Sequence, residues 1–268
     1  MPYEQELEHA LAAAAQAGQL ILDAYEQFTP IPDAPASIST QADRDSQECI
    51  LKRLQSAYPA DAFCAEEATP SLERGRTAPR TWVVDPIDGT RGFAQKNGQF
   101  SVMVGLIEDG RVVVGVVLEP TSWRLTFASI GEGCWKRDGR DGEPVRCRVT
   151  TTADLSAATL VQSWTKGHPW PHQTALAPAR VIETHSAGLK LALVARGEAD
   201  LYVNHYRNFH DWDVCAGQVL VEEAGGRVTT FRGKPVVYGK AHADQRDGLL
   251  ASNGVLHDAA LARLKGSF

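Results

Sequence analysis

Acidic side chains follow two short apolar runs of this 268-residue chain. Residues 82–90 read WVVDPIDGT, and residues 62–67 read AFCAEE. Two carboxylates three residues apart at a strand end could hold Mg²⁺, and a short helix beginning at Thr90 would direct its first amide groups toward a phosphate. Taken alone, an Asp-Pro turn explains the first block better, and an exposed pair of acids explains the second equally well.

Further acids stand at the starts of predicted helices. Asp43 and Asp213 each fall in the first turn of a helix, where the helix dipole alone would account for them. Glu66, Asp85 and Asp88 add three more carboxylates at element ends, without matching basic partners nearby in sequence. This set of acids at element ends indicates a cation cluster.

The secondary-structure elements that must position these acids follow one pattern before residue 150 and another after it. Hydrophobic periodicity predicts an α+β first half (1–150) and an α/β second half (151–268), with the active cleft between them. In the first half we predict a helix over 4–28, a second helix that residues 39–43 lead into and that ends at residue 58, and strands 62–65, 82–84, 100–107, 112–118, 124–129 and 131–135. In the second half we predict strands 159–161, 179–182, 199–203 and 248–252 and helices 186–196, 211–223 and 255–264.

Two proline positions carry local expectations. Pro86 lacks a backbone donor and is expected to end the ladder pairing of its strand, so that Asp85 stands at the strand end. Residues 29–39 contain three prolines and are predicted to form an exposed or mobile loop.

Composition excludes several classes of protein. Hydrophobic residues make up 43% and charged residues 22% of the chain, as in ordinary globular proteins. The net charge of −6 argues against binding to nucleic acid polymers or to anionic membranes. We expect no stable membrane insertion and no signal peptide, and five cysteines without a CxxC pair fit reduced thiols in the cytoplasm.

The motifs together resemble a known family. The stretches FCAEEA, WVVDPIDGTRGF, GEGCW, LALVARGEADLY and WDVCAGQVLVEEAGG are similar to those of the Mg²⁺-dependent, lithium-sensitive phosphatases that include inositol monophosphatase and 3'(2'),5'-bisphosphate nucleotidase. The similarity extends over nearly the whole chain. It implies the layered α/β/α/β/α sugar-phosphatase fold, with an active site between the two halves.

The resemblance also implies roles for individual residues. It implies two Mg²⁺ sites that share one carboxylate, Asp85, with the ligands Glu66, Asp85, the carbonyl oxygen of Ile87, Asp88 and Asp213. Asp43 and Thr90 match the pair that activates the attacking water, assisted by Glu66, and the amides of Gly89 and Thr90 would receive the phosphate. Prolines stand before Thr40 where the family commonly has a lysine, and Ala65 stands where it commonly has a glycine. The resemblance therefore implies two or three metal ions, and the third site is left open.

The substrate is expected to be a small phosphorylated molecule. KNGQFSV, HSAGLKLALVARGEADLY and FRGKPVVYGK resemble the nucleotidase branch, which hydrolyses adenosine 3',5'-bisphosphate to AMP. Ser186 and Lys190 match substrate contacts of that branch, with Lys190 opposite a second phosphate, and Tyr206 stands where inositol enzymes carry an acid. His185, His205 and Arg207 are weaker candidates that solvated surface positions would explain as well.

Several alternatives stay open at this point. The central motif is shared by inositol-1-monophosphatases and histidinol-phosphate phosphatases, and a non-catalytic phosphate-binding homologue is a further option. The oligomeric state is also open, with a homodimer as one option.

Overall fold

The computed structural model describes residues 2–35, 37–73, 75–164, 167–206, 209–239 and 243–265. Within these residues the helices are α1 (Glu4–Gln27), α2 (Gln41–Ala57), α3 (Thr90–Ala94), α4 (Pro171–Leu176), α5 (Ala187–Ala195), α6 (Asp211–Glu223) and α7 (His257–Leu264). A short 3₁₀ helix spans Leu155–Ala157. No described helix is long and apolar enough to cross a membrane.

The first sheet has seven strands in sequence order: β1 (Ala62–Ala65), β2 (Arg80–Asp88), β3 (Ser101–Glu108), β4 (Arg111–Glu119), β5 (Arg124–Ser129), β6 (Gly133–Asp138) and β7 (Val145–Arg146). β1 and β2 run parallel, and the other neighbours are antiparallel. The predicted antiparallel meander is therefore confirmed, with β7 as an unpredicted edge strand.

The second sheet has five strands in the order β11-β12-β10-β8-β9. Their bounds are β8 (Thr159–Gln162), β9 (Arg180–Glu183), β10 (Leu201–Asn204), β11 (Arg227–Thr229) and β12 (Leu249–Ser252). β8 lies parallel to both β9 and β10, whereas β12 is antiparallel to β10 and β11. The four strands predicted for this half are confirmed, and α4 and β11 were not predicted.

Side-chain alternation in the strands builds five layers. Trp82 and Val84 of β2 face a core shared with α1 and α2, whereas Val83 between them faces a core shared with α5 and α6. That second core also takes in the inner face of the second sheet, and α4 and α7 cover its outer face. The α/β/α/β/α fold expected from the sequence is confirmed.

Close packing of α6 against the first sheet depends on small residues. A Cβ atom on Gly115 of β4 would lie 2.2 Å from the carbonyl oxygen of Ala216, so only glycine allows this approach. The run from Val214 to Gly217 thus places the first turn of α6, which carries Asp213, against the sheet.

The expectation for Pro86 was wrong. β2 continues to Asp88, which pairs with Ser101 of β3, and the register shifts between Asp85 and Asp88. Pro86 and Ile87 therefore lie in an irregularity of the ladder. A proline is tolerated there because the ladder needs no amide donor at a bulge.

The described residues of the proline-rich segment after α1 form no helix or strand, as predicted, but they are hydrogen-bonded to α3. Ala34 is 3% exposed, and its carbonyl oxygen accepts a hydrogen bond of 3.0 Å from Nε of Arg91. Gln95 donates to the carbonyl oxygen of Pro32 at 3.0 Å, and the amide of Ile31 donates to Ala94 at 2.8 Å. These contacts connect the segment to the WVVDPIDGT block.

Candidate active site

Helix capping fixes two of the predicted acids. Asp43 is the third residue of α2, and its Oδ2 accepts a 2.8 Å hydrogen bond from the amide of Thr40. Asp213 occupies the same position in α6, where its Oδ2 accepts a 2.7 Å bond from the amide of His210. Both carboxylates are therefore held in the first turn of a helix by reciprocal capping.

The structure brings Asp43 and Thr90 together. Oγ1 of Thr90 lies 3.0 Å from Oδ1 of Asp43 and 2.9 Å from the carbonyl oxygen of Ile87. The hydroxyl carries one proton and can donate it to only one of these oxygens at a time. Burial raises the pKa of Asp43, while hydrogen bonds from Thr40 and Thr90 oppose that rise.

Asp85, Asp88 and Asp213 form one acidic cluster. One carboxylate oxygen of each lies within 4.8 Å of the others. Asp85 is 2% exposed, and its Oδ1 has no hydrogen-bond partner among the described residues. Burial, followed by the charges of Glu66 and Asp88, raises the pKa of Asp85 well above its ordinary value.

A second acidic group adjoins the first. Asp43, Glu66 and Glu67 each offer a carboxylate oxygen within 4.8 Å of the other two. Glu66 follows β1 and retains access to solvent, yet desolvation and the charge of Asp213 raise its pKa well above the ordinary value. Glu67 was not among the predicted site residues, although it stands next to Glu66 in the sequence.

A buried glutamine positions this second group and was missed by the sequence analysis. Gln47 of α2 is fully buried, and its side-chain amide both donates to the carbonyl oxygen of Glu67 and accepts from its amide, each at 2.8 Å. Gln47 thereby holds the loop after β1 against α2. Its signal in the sequence was a polar residue on the inner face of an amphipathic helix.

Asp88 joins the two halves of the chain. Its carboxylate accepts hydrogen bonds from the amides of Gly188 at 2.6 Å and Ala187 at 3.1 Å, and from the hydroxyl of Ser186. Ser101 of β3 adds a longer contact of 3.4 Å. Burial and Asp213 raise the pKa of Asp88, whereas Ser186 lowers it.

Ser186 and Lys190, predicted to contact substrate, both lie inside the protein. Ser186 is 0% exposed, and its hydroxyl caps α5 by accepting from the amide of Leu189 at 2.9 Å. Lys190 is 1% exposed and donates to the carbonyl oxygen of His185 at 2.7 Å. Burial lowers the pKa of Lys190 to about 8, against the opposing charges of Asp88 and Asp213.

Gly89 directly precedes α3 and has a backbone conformation that favours glycine. Its φ is 88°, and a Cβ atom there would lie 2.8 Å from the carbonyl oxygen of Gln99 and 3.2 Å from Cα of Ser186. The chain can therefore turn from the carboxylates into α3 only with glycine at this position.

Tyr206 and His185 follow the ends of β10 and β9. Tyr206 is 39% exposed, and its ring stacks on that of His205 with a centroid separation of 5.3 Å. Nε2 of His185 lies 3.2 Å from Oε1 of Gln95, and burial lowers the pKa of His185 to about 4. Arg207 lies outside the described residues.

The donor set fits divalent metal ions. All candidate ligands are oxygen atoms, which Mg²⁺ prefers, and the unpartnered Oδ1 of buried Asp85 lies among like charges. Within the described part of the chain, Glu66, Asp85 and Asp88 form no ion pair with Lys, Arg or His. Bound cations would supply the missing compensation.

Comparisons with known proteins agree with this geometry. The sequence profile of the inositol monophosphatase family matches residues 3–267. The fructose-1,6-bisphosphatase/inositol-1-monophosphatase of Thermotoga maritima is 33% identical over 226 residues, covering 82% of this chain and 80% of that protein. The 3'(2'),5'-bisphosphate nucleotidase CysQ of Escherichia coli K12 is 30% identical over 244 residues, covering 87% and 93%.

A solved structure shows the same architecture. The inositol monophosphatase of Anabaena (Nostoc) superposes with a TM-score of 0.81 at 29% identity, covering 99% of this chain and 97% of that one. Relatives with two different substrate names thus match at similar identity.

Proposed function

The chain belongs to the inositol monophosphatase family and is a phosphoric monoester hydrolase, and we propose that it removes the 3'-phosphate of adenosine 3',5'-bisphosphate. The observation that supports the phosphatase site is the buried carboxylate cluster around Asp85. The products would be AMP and inorganic phosphate.

Five residues would hold the metal. Glu66, Asp85 and the carbonyl oxygen of Ile87 would bind one Mg²⁺, and Asp85, Asp88 and Asp213 a second. Bound Mg²⁺ would neutralise the phosphoryl charge and lower the pKa of a water molecule. The neighbouring group of Asp43, Glu66 and Glu67 would hold any third ion.

Asp43 and Thr90 would orient and deprotonate the attacking water. When Thr90 donates its proton to Oδ1 of Asp43, 3.0 Å away, the lone pairs of Oγ1 can accept a hydrogen bond from that water. Asp43 is then connected to the proton of the water molecule through a single hydroxyl group, which is close enough for it to act as a general base. The phosphate itself would lie against the amides of Gly89 and Thr90.

The nucleotide substrate is favoured by the residue at position 206. Inositol is a polyol and needs hydrogen-bonding partners, whereas the exposed ring of Tyr206 offers a flat apolar surface. Lys190 was expected to meet a second phosphate, but its burial supports a structural role. Burial raises the pKa of Tyr206 and lowers that of His185, and the positive charge of Arg91 acts on both rings.

We also propose a division of the chain at about residue 150. The first sheet ends with β7 at Arg146, and the second begins with β8 at Thr159. Each half contributes acids to the site, since Asp213 comes from the second and the other ligands from the first.

The proposal is tested by phosphate release from a panel of substrates with Mg²⁺ present. Adenosine 3',5'-bisphosphate should have the highest kcat/KM, ahead of inositol 1-phosphate and histidinol phosphate. Faster turnover of inositol 1-phosphate would replace the nucleotide assignment with the inositol one. Absence of turnover on all substrates would favour a non-catalytic phosphate-binding homologue.

A further inference from the structure

Aromatic side chains follow the carboxyl ends of three parallel strands in the second sheet. β9, β8 and β10 are consecutive parallel neighbours. The residue two positions beyond the end of each strand is aromatic, namely His185, Trp164 and Tyr206. Ligands of open α/β sheets bind outside the carboxyl ends of the strands, so these rings stand where a ligand is expected.

The three rings lie in two ring pairs, Trp164 with His185 and Tyr206 with Trp170. Trp164 and His185 have ring centroids 6.2 Å apart, and Trp170 packs edge-on against Tyr206 at 5.8 Å. Nε1 of Trp170 donates to the carbonyl oxygen of Ser163 at 3.1 Å, directly before Trp164. The two ring pairs therefore form one aromatic rim, defined by Trp164, Trp170, His185 and Tyr206.

The rim presents apolar faces to solvent. Among the large apolar side chains exposed within the described residues, two are aromatic: Trp164 at 47% and Tyr206 at 39%. Because aromatic side chains carry large apolar surfaces, covering these two rings with an apolar face of a ligand would be favourable.

The rim is connected to the phosphate end of the site. Nε1 of Trp164 donates to Oε1 of Gln99 at 2.9 Å, and the carbonyl oxygen of Gln99 lies against Gly89. His185 directly precedes Ser186, whose hydroxyl donates to Asp88. A group esterified to a phosphate at Gly89 would therefore extend from the carboxylates toward the rim.

We propose that Trp164 and Tyr206 form a stacking surface for the leaving group, which is AMP and whose base covers these rings. This inference rests on the proposed phosphatase function and adds the residues that select the substrate. The indole nitrogen of Trp164 is already bonded to Gln99, so Trp164 offers its ring faces rather than a donor. Such faces discriminate in favour of a flat heteroaromatic group and against a polyol.

The test compares flat with non-flat replacements of similar size. Trp164→Leu and Tyr206→Leu remove the planar face, whereas Trp164→Phe and Tyr206→Phe keep one. For each variant, kcat and KM are measured with adenosine 3',5'-bisphosphate and with glycerol 2-phosphate, which has no ring. Val255→Ala, at an exposed valine before α7, is the control for surface substitution.

The leucine variants should raise KM for the bisphosphate by roughly 5- to 150-fold per ring, the range of base–aromatic stacking. The kcat/KM for the bisphosphate divided by that for glycerol 2-phosphate should fall by the same factor. In the phenylalanine variants this ratio should stay close to the wild-type value. An unchanged ratio in both leucine variants would overturn the stacking surface while leaving the phosphatase function in place.

A binding measurement tests the rim without turnover. Titration with AMP, followed by tryptophan fluorescence, should quench the wild-type signal, and Trp164→Phe should show a smaller quench at a similar Kd. Equal quenching in this variant, or a Kd for Trp164→Leu equal to that of the wild type, would contradict the inference. If no phosphomonoester is hydrolysed, the proposed function fails, and this titration still decides whether the rim binds the base.

Discussion

Asp85→Asn should stabilise the metal-free protein while abolishing its activity. Asp85 is 2% exposed, and the oxygens of Asp88 and Asp213 lie within 4.8 Å of its own. At an effective dielectric constant of about 20, each such pair of charges repels by at least about 3.5 kcal/mol. Protonation within the cluster relieves part of this repulsion. We therefore expect Asp85→Asn to raise the free energy of unfolding by about 1–3 kcal/mol at pH 7.

The pH dependence of this gain has a defined sign. Burial and neighbouring acids raise the native-state pKa of Asp85, so the native state binds its proton more tightly than the unfolded chain does. Lowering the pH through that raised pKa therefore stabilises the wild type. The advantage of Asp85→Asn should be largest at high pH and should shrink as the pH falls.

The assay is urea unfolding in EDTA and again in Mg²⁺, with phosphate release measured in parallel. At 100 times its Kd, Mg²⁺ should stabilise the wild type by about 2.7 kcal/mol and the variant much less. Asp61→Asn is the matched control, because Oδ2 of buried Asp61 accepts from Nε1 of Trp82 at 3.0 Å and Nε of Arg80 at 3.2 Å. This control should lose about 1–3 kcal/mol.

Two results would refute the reasoning. One is a metal-free Asp85→Asn protein that is less stable than the wild type by as much as Asp61→Asn. The other is a variant that keeps the full stabilisation by Mg²⁺, which would place the ion elsewhere.

Further predictions concern charge, backbone and burial. Asp88→Asn and Asp213→Asn should abolish turnover with an unchanged circular dichroism spectrum, because they remove metal charge rather than core volume; retained phosphate release in either would reject the shared-metal arrangement. Gly89→Ala should lower the free energy of unfolding in urea by about 1–3 kcal/mol and reduce turnover. Gly110→Ala is the control, because Gly110 has a φ of 78° and nothing within 4 Å of an added Cβ, and it should lower the free energy of unfolding by less. Equal losses of stability would show that the close contact at position 89 is unimportant. Burial lowers the pKa of His257 to about 4 from 6.5, so stability should fall by about 3 kcal/mol as the pH drops between these values. Replacement by Gln should flatten that slope, and an unaltered slope would assign the loss to other groups.

The sequence by itself determined the order of the elements and the acids at their ends. Apolar periodicity is local, so the helix Asp211–Glu223 and the strand Arg124–Ser129 were predicted with the bounds that the structure shows. The motif around Asp85 and its resemblance to known phosphatases identified the family before any contact was seen. Pro86 was misread because a missing amide donor is tolerated at a bulge, and only the pairing of β2 with β3 reveals the bulge.

Only the tertiary structure decided what each acid touches. Ser186 lies 98 residues from Asp88 in sequence and donates to it in space, so its position in a motif could not reveal this contact. Lys190 is buried because α5 packs between the two sheets, which makes it a poor partner for a second phosphate. The alignment of Trp164, His185 and Tyr206 likewise depends on three strands becoming parallel neighbours. Such pairing is set by long-range packing, which local spacing does not encode.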